Sequence, residues 1–280
     1  MIVTGTLPEA DYPDRIDTPV AVLGLGMITE GWELPFHSHH KAQLLFAESG
    51  LITLEAEEGL WVVPPQGAIW IPGGLVHRAR SSGNTRGFVA FVESDAAVGL
   101  PTRCCTIFVS PFLRALLERI AALPDHYELD SAQGRLVGVL LDELIGATVE
   151  QLHLPMPRET RLRKLADAML RAPARHATLD EWAHEIGMSE RNMSRLFLAE
   201  TGLSVHKWRR QMHVLTALPL LAQGQSPQSI SEDLGYDSSG AFVTMFRKTL
   251  GAPPKRFLQE RTAGIHAPLN VPSGNFYEYQ

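Results

Sequence analysis

A chain of 280 residues exceeds the about 100–200 residues that one domain usually organises, so two domains are expected. Hydrophobic residues make up 45% and charged residues 20%, the balance of a globular protein, and no stretch reaches the ~18 uninterrupted apolar residues of a membrane span, which argues against a membrane partner. The net charge of −6 would exclude a polyanionic partner only if it were evenly spread; residues 157–262 instead carry 16 Lys and Arg against 11 Asp and Glu, leaving 9 against 20 elsewhere.

The opening residues carry Glu9, Asp11, Asp14 and Asp17 without a basic stretch leading into an apolar run, unlike a secretory signal, and a cytoplasmic location is expected. From Val20 to Val92 short runs rich in β-branched and aromatic residues alternate with Gly and Pro: Leu44–Ala47, Leu51–Glu55, Trp61–Val63, Ile69–Ile71 and Gly87–Val92. This is the pattern of many short strands in a sandwich or small barrel. Adjacent Cys104 and Cys105 have neither disulfide-framework nor zinc-clip spacing; two small apolar side chains at a strand end is the preferred reading over a redox pair. From Ser110 the period turns helical, with Phe112, Leu113, Leu116, Leu117 and Ile120, then Leu136, Val139, Leu140, Glu143 and Leu144. Pro124 and Asp125 punctuate between these two helices, and Leu154 to Pro157 form a linker. The two apolar stripes suit either a second subunit or the chain's own barrel.

Beyond the linker an internal repeat appears at an offset of 48 to 49 residues. Ile186, Gly187, Met188 and Ser189 align with Leu234, Gly235, Tyr236 and Asp237/Ser238; Leu196 and Phe197 with Met245 and Phe246; Gly202 with Gly251; Trp208 with Phe257. In each copy a Gly stands where a chain leaving a helix needs a left-handed backbone, and a Ser stands where the next helix needs an N-cap. These are the requirements of a helix-turn-helix, whose second helix enters the major groove of DNA. In the first copy that helix exposes Glu190, Arg191, Asn192, Ser194 and Arg195, and Arg and Asn are the residues that bind guanine and adenine bidentately. The second exposes Ser239, Gly240, Val243, Thr244, Arg247 and Lys248, a face better suited to phosphate. Between the copies Val205, Trp208, Met212, Leu215, Leu218 and Leu221 form one helical stripe that would set the reading heads about 34 Å apart.

Residues 162–257, above all "LGYDSSGAFVTMFRKTLGAPPKRF", resemble the AraC/XylS regulators. The resemblance implies two helix-turn-helix units flanking a long connecting helix, base contacts from Arg191, Ser194 and Arg195 and from Ser239, Gly240 and Thr244, RNA polymerase as a partner, and activation as the commoner outcome. Pro219 departs from an ideal connecting helix.

In the front half His37 and His39, two apart on a strand, would share one face, with Gln43 four residues beyond and His77 on a separate strand; His40 would point away. Three converging imidazoles and one amide or water make a site for Zn, Fe, Mn or Ni. The spacings Gly31-x5-His37-x-His39-x3-Gln43-x6-Gly50 and Pro72-x-Gly74-x2-His77 resemble the two cupin motifs, with Gln43 for the usual Glu and Ser81 for the usual Asn, which leaves a neutral ligand set. Trp32, Glu33, Trp61 and Trp70 would alternatively line a pocket for a small aromatic or cationic effector.

The expectation is therefore an α+β chain: a cupin-like sensor barrel over 1–108, a helical linker over 109–156 that offers a dimerisation surface, a double helix-turn-helix domain over 157–262, and a loose tail over 263–280. It would act as a DNA-binding regulator, not an enzyme, and as a homodimer, responding to a metal or small molecule. A metal-dependent cupin enzyme of the dioxygenase kind, and a regulator whose barrel serves only to dimerise, are the competing readings.

Overall fold

The computed structural model describes residues 2–3, 12–15, 17–28, 31–123, 127–150 and 152–262. The expected tail and the punctuation at Pro124 and Asp125 lie outside them. The described residues divide into two compact units: one takes Trp61–Leu152 with those up to Ala56 and Leu258–Thr262, the other takes Glu57–Leu60 and His153–Phe257. Among the described residues no helix is long and apolar enough to cross a membrane.

The first unit is a sheet covered by two helices. Its strands are β1 (Ile2–Val3), β2 (Val20–Ile28), β3 (Glu33–His37), β4 (Ala42–Ala56), β5 (Gly59–Val63), β6 (Gly67–Ile71), β7 (His77–Val92), β8 (Cys105–Phe108) and, after helices α1 (Pro111–Ala121) and α2 (Ala132–Ile145), β9 (Val149–Glu150). Along the main path the order is β1-β2-β7-β4-β6-β8-β9, with β3 added to β7 and β5 to β4. All pairings given in register are antiparallel except β1 with β2. The expected α+β class is found, but the path has two ends and the sheet does not close into a barrel among the described residues.

Two long strands replace several expected short ones. β4 runs 15 residues through both Leu44–Ala47 and Leu51–Glu55, and β7 runs 16. They stay paired from Ala42↔Val92 to Ala56↔His77 because register shifts between Ala47 and Leu51 bend the ribbon without breaking it. Alternation along these strands buries both faces. Leu44, Phe46, Ala90 and Val92 join one core with Trp70, while Leu45, Ala47, Val89 and Phe91 join another with Trp61. The first of these faces is apolar enough to need a cover, and α1 and α2 supply it through Leu113, Leu116, Leu117, Ile120, Val137, Leu140 and Leu144. Each such side chain contributes about 1.5–3 kcal/mol on burial. Ser110 and Ser131 cap the two helices, accepting from the backbone N–H of Leu113 and Gly134 at 3.0 and 3.1 Å. The stripes over 109–156 thus pack on their own sheet. Val139, read as part of the apolar stripe of α2, lies 39% exposed, and Val137 takes the inward position.

The second unit opens with β10 (His153–Pro155) and is then helical: α3 (Thr160–Arg171), α4 (Leu179–Glu185), α5 (Glu190–Thr201), α6 (Val205–Ala222), α7 (Pro227–Asp233), α8 (Ser239–Leu250) and α9 (Pro254–Thr262). α6 is its axis. Val205, Trp208, Met212, Val214, Leu215, Ala217 and Leu218 are all buried, a band too wide for a surface helix and suited to one packed on several sides. Pro219 falls in the last turn of α6 and the helix continues to Ala222 past it.

Candidate nucleic-acid interface and histidine cluster

Both copies of the repeat fold as helix-turn-helix units with the same turn bond and the same serine cap on the second helix. In the first, Thr178 and Glu181 form a reciprocal capping box that starts α4. Gly187 takes φ of 66°, Met188 N–H donates to the Ala183 carbonyl at 2.9 Å, and Ser189 accepts from Asn192 N–H at the start of α5. In the second, Ser226 and a following Pro start α7, Gly235 takes φ of 75°, Tyr236 N–H donates to the Ser231 carbonyl at 2.8 Å, and Ser238 accepts from Ala241 N–H at the start of α8. A residue with a Cβ would be strained at either glycine. The aromatic partners repeat too: Phe197 meets Trp208 edge-on at 5.6 Å, and Phe246 meets Phe257 at 5.9 Å.

These inward contacts decide which residues face out. On α5 Met193 and Phe197 are buried, Arg191 and Arg195 are exposed, and Asn192 and Ser194 are half-buried beside them. Arg195 donates to the Asn192 side-chain oxygen at 3.0 Å, holding the guanidinium and the amide together. On α8 Phe242, Met245 and Phe246 are buried, Gly240, Thr244, Arg247 and Lys248 are exposed, and Ser239 and Val243 are half-buried. Ala241, absent from the expected face, is exposed between Gly240 and Thr244; its small apolar side chain carries no signal that sequence reasoning looks for.

In the sheet unit His37 ends β3, His39 follows in the loop before β4, and His77 begins β7 opposite His37. His39 therefore reaches the cluster from a loop, not from the same strand face as His37. Ring centroids lie 4.4 Å apart for His37 and His77, 5.3 Å for His39 and His77, and 5.9 Å for His37 and His39. One ring nitrogen from each lies within 4.8 Å of the others. Every Nδ1 is bonded to a backbone carbonyl: His37 to Pro35 at 2.8 Å, His39 to Lys41 at 2.6 Å, His77 to Leu75 at 2.9 Å. A carbonyl only accepts, so each Nδ1 carries the hydrogen and each Nε2 keeps its lone pair, the orientation that carbonyl partners impose on metal-binding histidines. No sequence signal names these carbonyl partners.

The Gln43 Oε1 stands 3.1 Å from His39 Nε2, close to the about 3.3 Å that two ligands at 2.0–2.1 Å from a tetrahedral ion would show. Turning the Gln43 amide so that its NH2 donates satisfies the same pair without an ion. Burial pushes the His39 and His77 imidazoles below their ordinary range, His77 to about 4, and keeps both neutral. His40 is exposed and paired with Asp14 at 3.0 Å, outside the cluster.

The four residues expected to line an organic pocket do not converge. Trp70 is buried in the helix-covered core with its Nε1 donating to the Pro101 carbonyl at 2.7 Å, and Trp61 is buried in the core of the other face. Glu33 is exposed; Trp32 is half-buried against the second core and bonded through its backbone to Ser81. Alternation puts Trp61 and Trp70 on opposite faces of the sheet. Burial raises the Cys105 thiol to about 12, which makes it a poor redox nucleophile.

A family model described as a helix-turn-helix domain matches residues 182–260. The transcriptional regulator NimR of Escherichia coli (strain K12) is 39% identical over 250 residues, covering 89% of this chain and 91% of that protein. The arabinose operon regulatory protein of the same strain is 28% identical over 125 residues, 44% of this chain and 42% of that one. Among solved structures, ToxT from Vibrio cholerae aligns over 86% of this chain and 97% of its own with 11% identity and a TM-score of 0.36. With its duplicated helix-turn-helix and a relative of that identity spanning nearly its whole length, the chain belongs to the AraC family of DNA-binding transcription regulators.

Proposed function

We propose that the helical unit reads a specific DNA site with α5 and α8 and that the sheet unit is a sensor whose histidine cluster takes a divalent transition metal that modulates this binding. The observation that carries the first half is the repeated cap, turn and aromatic pair, which leaves two short helices with polar outer faces. Arg191, Asn192, Ser194 and Arg195 on α5 are the base readers; Ser239, Gly240 and Thr244 on α8 approach the bases closely, and Arg247 contacts phosphate. The protein would work in the cytoplasm as a homodimer, contacting RNA polymerase to activate transcription.

The sensing half rests on three Nε2 lone pairs and the Gln43 oxygen facing one another, a neutral donor set of the kind that Zn, Fe, Mn or Ni accept. His37, His39, His77 and Gln43 would hold the ion, which would supply a fixed positive charge inside the sheet. A second reading, an organic effector, is favoured by one detail: the buried Trp32 Nε1 has no acceptor among the described residues and is available to a ligand. Elemental analysis of the purified full chain separates the two. Wild type is expected to carry a metal that His39→Ala loses, with DNA affinity at fixed salt changing on removal of the ion. Equal metal content in both proteins would end the metal reading.

A further inference from the structure

The turn of the second helix-turn-helix also walls a cavity of about 390 Å³. Gly235 and Tyr236 form one side, His176 in the segment before α4 another, and His206, Arg209, Arg210 and His213 on the first half of α6 the rest. The lining holds two guanidinium groups and three imidazoles and no carboxylate. Exposed arginines are ordinarily solvated surface, usually near an acid; here, among the described residues, neither Arg209 nor Arg210 has a carboxylate partner.

The cavity is built rather than incidental. Arg209 donates through one Nη2 to the carbonyls of Arg175 and Pro173, at 2.6 and 3.4 Å, which fixes its plane and leaves its other N–H groups for a ligand. His213 Nε2–H donates to the Pro173 carbonyl at 3.2 Å, so its Nδ1 accepts from the Tyr236 hydroxyl at 2.8 Å. Burial holds His213 down at about 4 and pushes Tyr236 up to about 12, keeping that wall uncharged. His176 bonds the Gly235 carbonyl and ties the segment before α4 to the turn. Arg210 is exposed at the rim and brings a full positive charge.

Tyr236 leads within two residues to the Ser238 cap of α8, and His176 lies two residues before the Thr178 cap of α4. A reading helix points its N-terminal end into the major groove while the first helix of the motif crosses the backbone, so both walls lie where phosphates pass. We infer that this cavity seats a backbone phosphate of the DNA between the two reading heads, with Arg210 and Arg209 as its donors. The inference rests on the double helix-turn-helix reading of DNA given above.

The test uses the full chain and its selected duplex, titrated from about 50 to about 200 mM salt beside a random duplex. Arg210→Ala is expected to flatten the log–log salt slope by about one unit, so that affinity falls about fourfold less across this range, with base preference unchanged. Arg210→Lys, which keeps the charge, is expected to keep the slope. An unchanged slope in Arg210→Ala, with wild type still specific, overturns the phosphate seat alone; a wild type without sequence preference overturns it together with the DNA reading. Inorganic phosphate is the second probe: if it shifts the His206 and His176 ring signals in wild type while Arg210→Ala leaves DNA binding untouched, the ligand is a free phosphate and the DNA assignment falls.

Discussion

Gly187 and Gly235 hold the same place in the two helix-turn-helix units, yet a Cβ built on Gly187 meets nothing within 4 Å, while one on Gly235 would lie 2.7 Å from the Ala174 carbonyl and 2.8 Å from His176 Nε2. The recognition helices diverge in a parallel way: α5 carries Arg191, Asn192 and Arg195 outward, and α8 carries Gly240, Ala241 and Thr244. The shared caps, turns and aromatic pairs keep the frame, and everything outside that frame is free to specialise. One copy turns long polar side chains outward; the other presents small residues and is tied through its turn to α6 and the segment before α4.

The sharpest challenge to the shared frame is its aromatic pair. Trp208→Ala and Phe257→Ala are each expected to destabilise the helical unit by about 3–5 kcal/mol in denaturant unfolding followed by circular dichroism, Trp208→Ala more so because its Nε1 also donates to the Pro155 carbonyl at 2.7 Å. A neutral Phe257→Ala would show that the second copy is not held as the first is. Next come the turns. Gly187→Ala is expected to cost about 1 kcal/mol of backbone strain and Gly235→Ala more than about 2 kcal/mol, since strain and a backbone clash add. Equal costs would remove the asymmetry.

His213 titrates at about 4 when folded against an ordinary 6.5, so the unfolded chain takes up a proton first as pH falls. Its contribution is fully present above pH 6.5 and is lost between 6.5 and 4, amounting to roughly 2 kcal/mol between about pH 7 and pH 5. His213→Gln is expected to be less pH-dependent than wild type by that amount; parallel profiles would refute it. The smallest effects separate the two outer faces. Arg195→Ala is expected to cost about 1–3 kcal/mol at one base position, and Arg247→Ala under about 1 kcal/mol on every sequence alike, measured by competition binding.

The helical unit was far more legible than the sheet. Caps, turn glycines and the 3.6-residue period are local, and the repeat carries the same local code twice, so the sequence alone places Gly187 with Ser189 and Gly235 with Ser238. Sheet geometry depends on partners distant in sequence. Leu44–Ala47 and Leu51–Glu55 read as two strands because the bend between them is set by pairing with β7. Trp61 and Trp70 read as one pocket because their faces are decided by register. The cupin-like spacing pointed to His37, His39 and His77, but not to the loop position of His39 or the carbonyls behind each ring. An apolar stripe does not name what covers it, which is why α1 and α2 suited a partner subunit as well as their own sheet. The cavity beside Tyr236 has no motif at all: its histidines and arginines come from α6 and the segment before α4, and the turn at Gly235 and Tyr236 closes it.

The central claim is that the two frames read one stretch of DNA together. Hydroxyl-radical footprinting of the full chain on a duplex selected from random sequence tests it most directly. The account predicts two protected segments on one face of the duplex about one helical turn, ~34 Å, apart. A single protected segment, or no preference for any sequence over random competitor, would contradict it.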